Sequence, residues 1–341
     1  MLETIKRYRL LLNLRLSGTS VYHKIRAFKA ILSMAMGAKI PKYIMIGLTY
    51  RCQANCVHCC IGCYPKEKNK ELTTQEVKKI IDQCRELGTI TINFFGGEPL
   101  LREDILELIK YSSESGMYTS MDTNGYNMTE DSARQLKDAG LRLIRVSIDS
   151  ADSDEHDRLR GLSHSFENAI EAINNSVRTG LRCIISAYAT KENVGGGLKE
   201  IILLGRKLNA NGVRVLLPTP SGRWLNRNDI VLNQEEEEKV RRLLDPSFVY
   251  LEGVTNVFKE CVCVHKGYFY ISPYGEVQPC CFVPLSFGNV REEPLGDILR
   301  RIYNHEMFRD KSMFSDCMIR NEEFRRKYLN VSPSTELPLK V

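Results

Sequence analysis

Three closely spaced cysteines, Cys52, Cys56 and Cys59, lie in the run Tyr50-Arg51-Cys52-Gln53-Ala54-Asn55-Cys56-Val57-His58-Cys59. Their C-x3-C-x2-C spacing puts three soft thiolates on one stretch of chain, a donor set that selects an iron–sulfur cluster or zinc. Three thiolates can hold three irons of a cubane and leave the fourth open. A zinc ion wants four ligands, and Cys60 or Cys63 could supply the last. A second set, Cys261, Cys263, Cys280, Cys281 and Cys317, lies toward the other end of the chain. Cys84 and Cys183 fall inside helix-like and strand-like runs and read as small buried apolar residues.

The elements that must position these groups are legible from residue 43 onward. Short runs rich in Ile, Val, Thr and aromatics, free of proline, read as buried parallel strands: Tyr43–Leu48, Ile90–Phe95, Met117–Thr123, Arg142–Ile148, Arg182–Tyr188 and Val213–Leu217. Helix-period segments lie between and after them. Thr73-Thr74-Gln75-Glu76 reads as a capping box opening a helix through Leu87, with others near 103–114, 129–139, 166–179, 196–208 and 234–244. Six βα units in series predict a parallel α/β sheet with right-handed crossovers, doubly wound or curled into a partial barrel. In either form the chemistry belongs at the C-terminal ends of the strands. The cysteine loop follows the first strand. Beyond residue 250, Tyr268–Ser272, a turn at Pro273-Tyr274-Gly275, and Glu276–Gln278 predict a β-hairpin, and a helix follows near 294–304.

The 341 residues are 43% apolar and 26% charged, the composition of a folded protein, and exceed what one ordinary core fills. No apolar run is long enough to span a bilayer, and no secretory signal is visible, so a cytoplasmic location is expected. Twelve cysteines do not form a disulfide framework in a reducing compartment, so either most are ordinary buried residues or several are metal ligands. The net charge of +6 is unevenly placed. Residues 1–42 carry nine Lys/Arg and one acid, while the rest of the chain has 39 basic against 41 acidic residues.

Further strand ends add to the cysteine loop. Strand two ends in Phe94-Phe95-Gly96-Gly97-Glu98-Pro99, strand three in Thr123-Asn124-Gly125, and strand four in Ser147-Ile148-Asp149-Ser150. In order and position this set resembles the radical S-adenosylmethionine (SAM) superfamily. The resemblance implies a partial (β/α)6 barrel in which Cys52, Cys56 and Cys59 ligate a [4Fe–4S] cluster whose open iron chelates SAM. It further implies that Gly96, Gly97 and Glu98 bind the SAM amino group, mostly through backbone atoms. Asn124 stands among the polar strand-end residues, Ser147 and Asp149 face the ribose, Arg160 pairs with the SAM carboxylate, and Asn193 reaches the adenosine. His58 departs from the family pattern, standing where an aromatic residue is commoner near the adenine. The implied chemistry is reduction of SAM to methionine and a 5′-deoxyadenosyl radical that takes hydrogen from substrate, fed by a donor such as flavodoxin or ferredoxin.

The G-x4-C run from Gly275 to Cys280, with Gly288-Asn289-Val290 after it, resembles the SPASM/twitch extension of that superfamily. One auxiliary [4Fe–4S] cluster is implied, because Cys317 alone stands where a full extension carries four later cysteines. Cys261, Cys263, Cys280, Cys281 and Cys317 are its candidate ligands, and the C-x-C and the adjacent pair leave the choice among them open. The organisation reads as a basic arm over 1–42, a barrel over 43–249, a twitch/SPASM-like unit over 250–329 and a tail over 330–341. The substrate is expected to be a small or lipid-like molecule. A peptide- or protein-modifying maturase is the rival within enzymes, and a non-catalytic iron–sulfur or zinc scaffold the rival outside them. The arm is either a helical cap or a peripheral contact with an anionic membrane; no nucleic-acid partner is expected.

Overall fold

Alternation along the strands decides which side chains enter the barrel. The computed structural model describes residues 41–252, 254–255, 260–261, 267–308, 317–329 and 335–341, together with Ile25, Phe28 and Lys29. Its central sheet contains β1 (Tyr43–Thr49), β2 (Thr91–Gly96), β3 (Tyr118–Thr123), β4 (Leu143–Ser147), β5 (Cys183–Tyr188), β6 (Val213–Leu216) and β7 (Val249–Leu251) in sequential order, all parallel. The crossovers carry α1 (Thr74–Glu86), α2 (Ile105–Glu114), α3 (Glu130–Asp138), α4 (Ser153–Arg160), α5 (Ser165–Thr179), α6 (Gly197–Lys207) and α7 (Gln234–Arg242).

One face of each strand packs against these helices. Ile44, Ile46, Ile92, Phe94, Met121, Ile144, Val146, Ile185 and Val213 join them in the main core. The opposite face turns inward. Tyr118, Leu143, Ile184 and Tyr250 form an apolar floor there, and Asn93, Ser120, Asp122, Arg145, Ser186 and Arg214 form a buried polar layer. The apolar runs that read as uniformly buried strands thus serve two different interiors.

Two short strands, β8 (Val254–Thr255) and β9 (Glu260–Cys261), pair with each other. The hairpin expected after residue 250 is present as β10 (Tyr268–Ile271) and β11 (Val277–Gln278). It is not a free-standing unit: β10 lies parallel beside β1, with Tyr43 opposite Tyr268, and so extends the barrel sheet to nine strands. Beyond it come β12 (Leu285–Ser286), α8 (Leu295–Asn304), α9 (Glu322–Tyr328) and β13 (Leu339–Lys340), the last paired with β12. Neither β7 nor β11 pairs with the other to close the barrel. Among the described residues a side of the sheet remains open.

Candidate active site

The cysteine loop leaves β1 and is tied down from three directions. Thr49 O and Arg51 O accept from Gly97 N at 2.6 Å and Glu98 N at 2.9 Å, joining the ends of β1 and β2. This closeness needs glycine, since a Cβ at Gly97 would stand 2.0 Å from Arg51 O and one at Gly96, whose φ is +133°, 2.2 Å from Thr49 O. From α4, Arg160 O and Leu159 O accept from Asn55 N and Val57 N. From the turn after β6, Arg223 N donates to Cys59 O at 3.0 Å, and Arg223 Nη1 donates to Asn55 O at 2.8 Å. Loop geometry is therefore set by three βα units at once.

Cys52, Cys56, Cys59, Gly96, Gly97, Asn124, Ser147 and Arg160 all line one cavity of about 1180 Å³, its open mouth included. Asn124 Nδ2 lies 3.6 Å from Cys52 Sγ, and Arg160 Nη1 lies 3.6 Å from Cys56 Sγ. Burial pushes the Cys52 thiol up to about 12 and raises Cys59 as well, so bound metal, rather than the protein alone, would have to favour the thiolates. The fit to a cubane and SAM rests on these donors. Among the described residues no three His, Cys, Asp or Glu side chains close on a single metal ion. A cubane places each thiolate on a separate iron and asks for no common centre. Arg160 Nε is buried and has no hydrogen-bond partner. It is an orphaned donor of the kind a carboxylate would satisfy.

Other expected residues act on their neighbours. Glu98 is fully buried, and its carboxylate accepts from Asn124 N at 2.8 Å, Thr123 Oγ1 at 2.8 Å and Leu100 N at 3.1 Å. Burial raises its pKa to about 6 against these donors. Glu98 thus fixes the end of β3 that presents Asn124. Asp149, expected at the ribose, lies off the cavity lining; its Oδ2 is 2.8 Å from Arg160 Nη2 and 3.3 Å from His58 Nε2. Burial opposes its ionisation, but Arg160, then His58 and His156, hold its carboxyl below the usual range. Its role in the fold is to orient the two groups that do face the cavity. Asn193 is not brought there: its amide serves the loop after β5, donating to Tyr188 O at 2.7 Å and accepting from Thr190 N at 2.8 Å.

His58 is buried and meets the ring of Tyr188 at 4.7 Å and that of Trp224 at 5.7 Å, forming an aromatic wall. Burial drives its imidazole down to about 4, so the ring is neutral near pH 7. The adjacent cysteines of the second set split between two surroundings. Cys280 enters the main core with the hairpin and α8, where half-buried Cys317 also packs. Cys281 instead lines the SAM-side cavity, where its thiol is hydrogen-bonded to that of Cys60. Cys63 is exposed, and Cys84 and Cys183 are buried among apolar residues as expected. Cys263 and the Cys261 side chain lie outside the described residues. Sequence reading missed Asp122, Arg214 and Glu252, which line the cavity from β3, β6 and the end of β7. Their signal was a charged residue in, or just beyond, an otherwise apolar strand.

A parallel partial barrel that gathers three loop cysteines, a diglycine strand end and an unfilled guanidinium at its C-terminal mouth defines a radical SAM enzyme. Residues 46–196 match the Radical SAM superfamily and residues 261–321 match the SPASM iron–sulfur cluster-binding domain, and the chain belongs to that superfamily. SAM and iron–sulfur clusters are its cofactors. Among curated relatives it is 26% identical to the AdoMet-dependent heme synthase of Nitratidesulfovibrio vulgaris, over 82% of this chain and 84% of that one. It is 28% identical to the PqqA peptide cyclase of Bradyrhizobium diazoefficiens, over 71% and 67%. In fold it is similar to Streptococcus suis SuiB bound to precursor peptide SuiA, with a TM-score of 0.66 at 16% identity over 91% of this chain and 78% of that one.

Proposed function

We propose that the protein is a peptide- or protein-modifying radical SAM maturase. Cys52, Cys56 and Cys59 would hold the SAM-binding cluster, which when bound supplies the electron that cleaves SAM to methionine and a hydrogen-abstracting 5′-deoxyadenosyl radical. Arg160, held by Asp149, would take the SAM carboxylate; the backbone at Gly96 and Gly97 the amino group; Ser147 the ribose. The wall of His58, Tyr188 and Trp224 would pack the adenine and keep water from the reacting carbon. One auxiliary cluster would be held by Cys280 and Cys317 with Cys261 or Cys263, while Cys281 belongs to the cavity wall.

The observation that carries the substrate reading is the shape of the cavity. It runs from the SAM-side residues inward to Asp122 and Arg214, and outward to a mouth rimmed by exposed Lys66 and Arg223. An open mouth over a deep pocket admits a side chain while its main chain stays outside. The likeness to PqqA peptide cyclases supports this choice over the small or lipid-like substrate expected at first. A small-molecule reading is kept as the second, because heme synthases match over larger shares of both chains.

The test begins with anaerobic reconstitution, iron counting and assay of 5′-deoxyadenosine after addition of SAM and a strong reductant. About eight irons are expected, four per cubane. Joint replacement of Cys52, Cys56 and Cys59 by Ala is expected to abolish cleavage and leave about four irons. The enzyme is then given a perdeuterated cell extract separated into peptide and metabolite pools, and deuterium in 5′-deoxyadenosine is read by mass spectrometry. Deuterium from the peptide pool supports the proposal, and deuterium from the metabolite pool alone supports the second reading. Absence of SAM cleavage sinks both.

A further inference from the structure

The cavity carries two thiols that the chemistry above does not use. Cys60 follows the last of the three loop cysteines and Cys281 follows Cys280, and both residues line the cavity. Their thiols are hydrogen-bonded to each other. Cys280 O accepts from Val283 N at 3.2 Å, which makes Cys281 and Phe282 the middle of a tight turn, and Phe282 lines the cavity too. Met45 and Tyr270 pack against Cys281. Cys60 is fixed through its backbone, which lies so near Gly222 that a Cβ there would stand 2.4 Å from Cys60 O. Two segments far apart in the chain thus bring a pair of S–H groups to one point of the wall.

What a thiol can do there follows from the strength of its bond. Taking a hydrogen atom from a substrate C–H leaves a carbon radical. An S–H bond is weaker than most C–H bonds, so a thiol gives its hydrogen atom to such a carbon. The hydroxyls of Ser147 and Ser186, on the same lining, hold theirs too strongly. Tyr268 also lines the cavity, but its hydroxyl donates to Met45 Sδ at 3.4 Å. A pair of thiols has two hydrogens and one mutual bond, which leaves one S–H free for the cavity. Packing alone does not ask for this arrangement: Cys84 and Cys183, which only pack, are enclosed in the main core away from the cavity.

We infer that Cys281 returns a hydrogen atom to the substrate radical, with Cys60 as its partner. The inference rests on the proposed function, in which this cavity holds the substrate and neither thiol is a cluster ligand, and it fixes the class of reaction. Cys60 shares the loop of the SAM-binding cysteines, whereas Cys281 stands on another element, which lets a hydrogen arrive from a direction other than SAM's. The Cys281 S–H bond breaks, a C–H bond forms on the substrate, and the unpaired electron is left on Cys281 Sγ. That sulfur forms a two-centre, three-electron S–S bond with Cys60 Sγ, whose proton leaves to water at the mouth. One electron from a low-potential donor protein and two protons then restore both thiols. The substrate loses one hydrogen atom and gains another. Its composition is unchanged, so the product is an isomer, inverted at the reacting carbon, and is neither cross-linked nor oxidised.

The test runs the holoenzyme anaerobically in heavy water with SAM, dithionite and either the peptide or the metabolite pool of a cell extract. Products are returned to ordinary water to remove exchangeable deuterium and read by mass spectrometry. Because a thiol exchanges its hydrogen with solvent, a product carrying one carbon-bound deuterium and otherwise unchanged in composition is expected. Cys281→Ser keeps the size of the side chain but not the weak bond. It is expected to retain about eight irons, four per cubane, and to lose the label per 5′-deoxyadenosine formed. Cys60→Ser is expected to keep the label in a single turnover and to slow later ones. Circular dichroism reports the fold, and if Cys281→Ser does not fold, Cys281→Ala is read in its place. A folded Cys281 variant that keeps the label or loses a cluster's irons, or later turnovers unslowed in Cys60→Ser, overturns the inference. Label in the metabolite pool alone leaves the inference standing and overturns the peptide reading. Hydrogen passed from a peptide to 5′-deoxyadenosine, with no solvent deuterium in that peptide, overturns the inference and leaves the peptide reading. Absence of SAM cleavage overturns both.

Discussion

His156 is fully buried beneath Asp149, with its Nδ1 accepting from Asp149 N at 3.2 Å and its Nε2 3.3 Å from Ser165 Oγ. Burial, with Arg160 adding to it, drives its pKa down from 6.5 to about 4. The unfolded chain therefore binds this proton more readily, and the stability contributed by a neutral His156 is complete above 6.5 and lost as pH falls toward 4. Glu98, raised from 4.5 to about 6, works in the opposite direction over its own narrower window, losing stability as pH rises through it. Thermal melting of His156→Gln is expected to start lower at pH 7 and to depend less steeply on pH between 6.5 and 4 than the parent protein. Parallel melting curves for the two would remove His156 from the account. At Gly97 the prediction is steric: Gly97→Ala sets a methyl against Arg51 O, displaces the Cys52 loop and lowers iron incorporation and SAM binding together, as an iron assay and dialysis would read. The residues around this loop were legible because they are neighbours in sequence. Arg145, Asp122 and Arg214 were not, because they stand on three strands and meet only through register, with Asp122 opposite Arg145 and Arg214 opposite Ser186.

The same contrast holds for elements. The expected β1 to β6 and the hairpin appear within a residue or two of their sequence limits, since apolar runs bounded by polar turns are local signals. α4 was missed because its sequence, SDEHDRLR, carries no apolar stripe. It is instead capped by the Asp152 side chain, which accepts from Glu155 N at 2.9 Å, and is held against the cysteine loop by backbone bonds. β7 is three residues long and gives no period to read. How the C-terminal segment docks was equally hidden, because it depends on Arg291. That side chain donates to Glu76 Oε1 at 2.7 Å and to Lys70 O and Glu71 O at 3.0 and 3.1 Å, where the cysteine loop runs into α1. Its hydrogen bond is the leading cause that lowers Glu76 to about 2. Arg291→Ala is expected to cost about 1–3 kcal/mol, because it removes charge-assisted bonds at a partly exposed site and strands two carbonyls. Glu76→Gln should cost less at neutral pH, keeping the geometry while losing the charge. Above 4.5 the Glu76 contribution is complete, and it fades as pH falls toward 2, so the difference between parent and Glu76→Gln in denaturant melts should shrink on acidification. A pH-independent difference would assign the effect to packing instead.

At the scale of the whole molecule the charge is divided between two regions with opposite signs. The first 42 residues hold nine basic side chains and one acid, and the remainder is slightly acidic. Within the arm Ile25 and Phe28 are 48% and 66% exposed, three residues apart and therefore on one side of a helical turn, with exposed Lys29 beside them. Exposed apolar side chains at helical spacing beside basic ones are the pattern of a segment that lies on an anionic bilayer, where each Lys or Arg near the surface contributes about 1 kcal/mol. Among the described residues no helix is long and apolar enough to cross a membrane. The protein is accordingly expected to sediment with vesicles containing phosphatidylglycerol at low salt and not with purely phosphatidylcholine vesicles. Binding should fall steeply as ionic strength rises past about 0.1 M, where the Debye length shortens to about 10 Å. A chain beginning at residue 41 should stay in the supernatant in every case. If the full chain ignores anionic vesicles at low salt, the arm's charge has no membrane role; if the shortened chain still binds, the contact lies on the barrel and not on the arm.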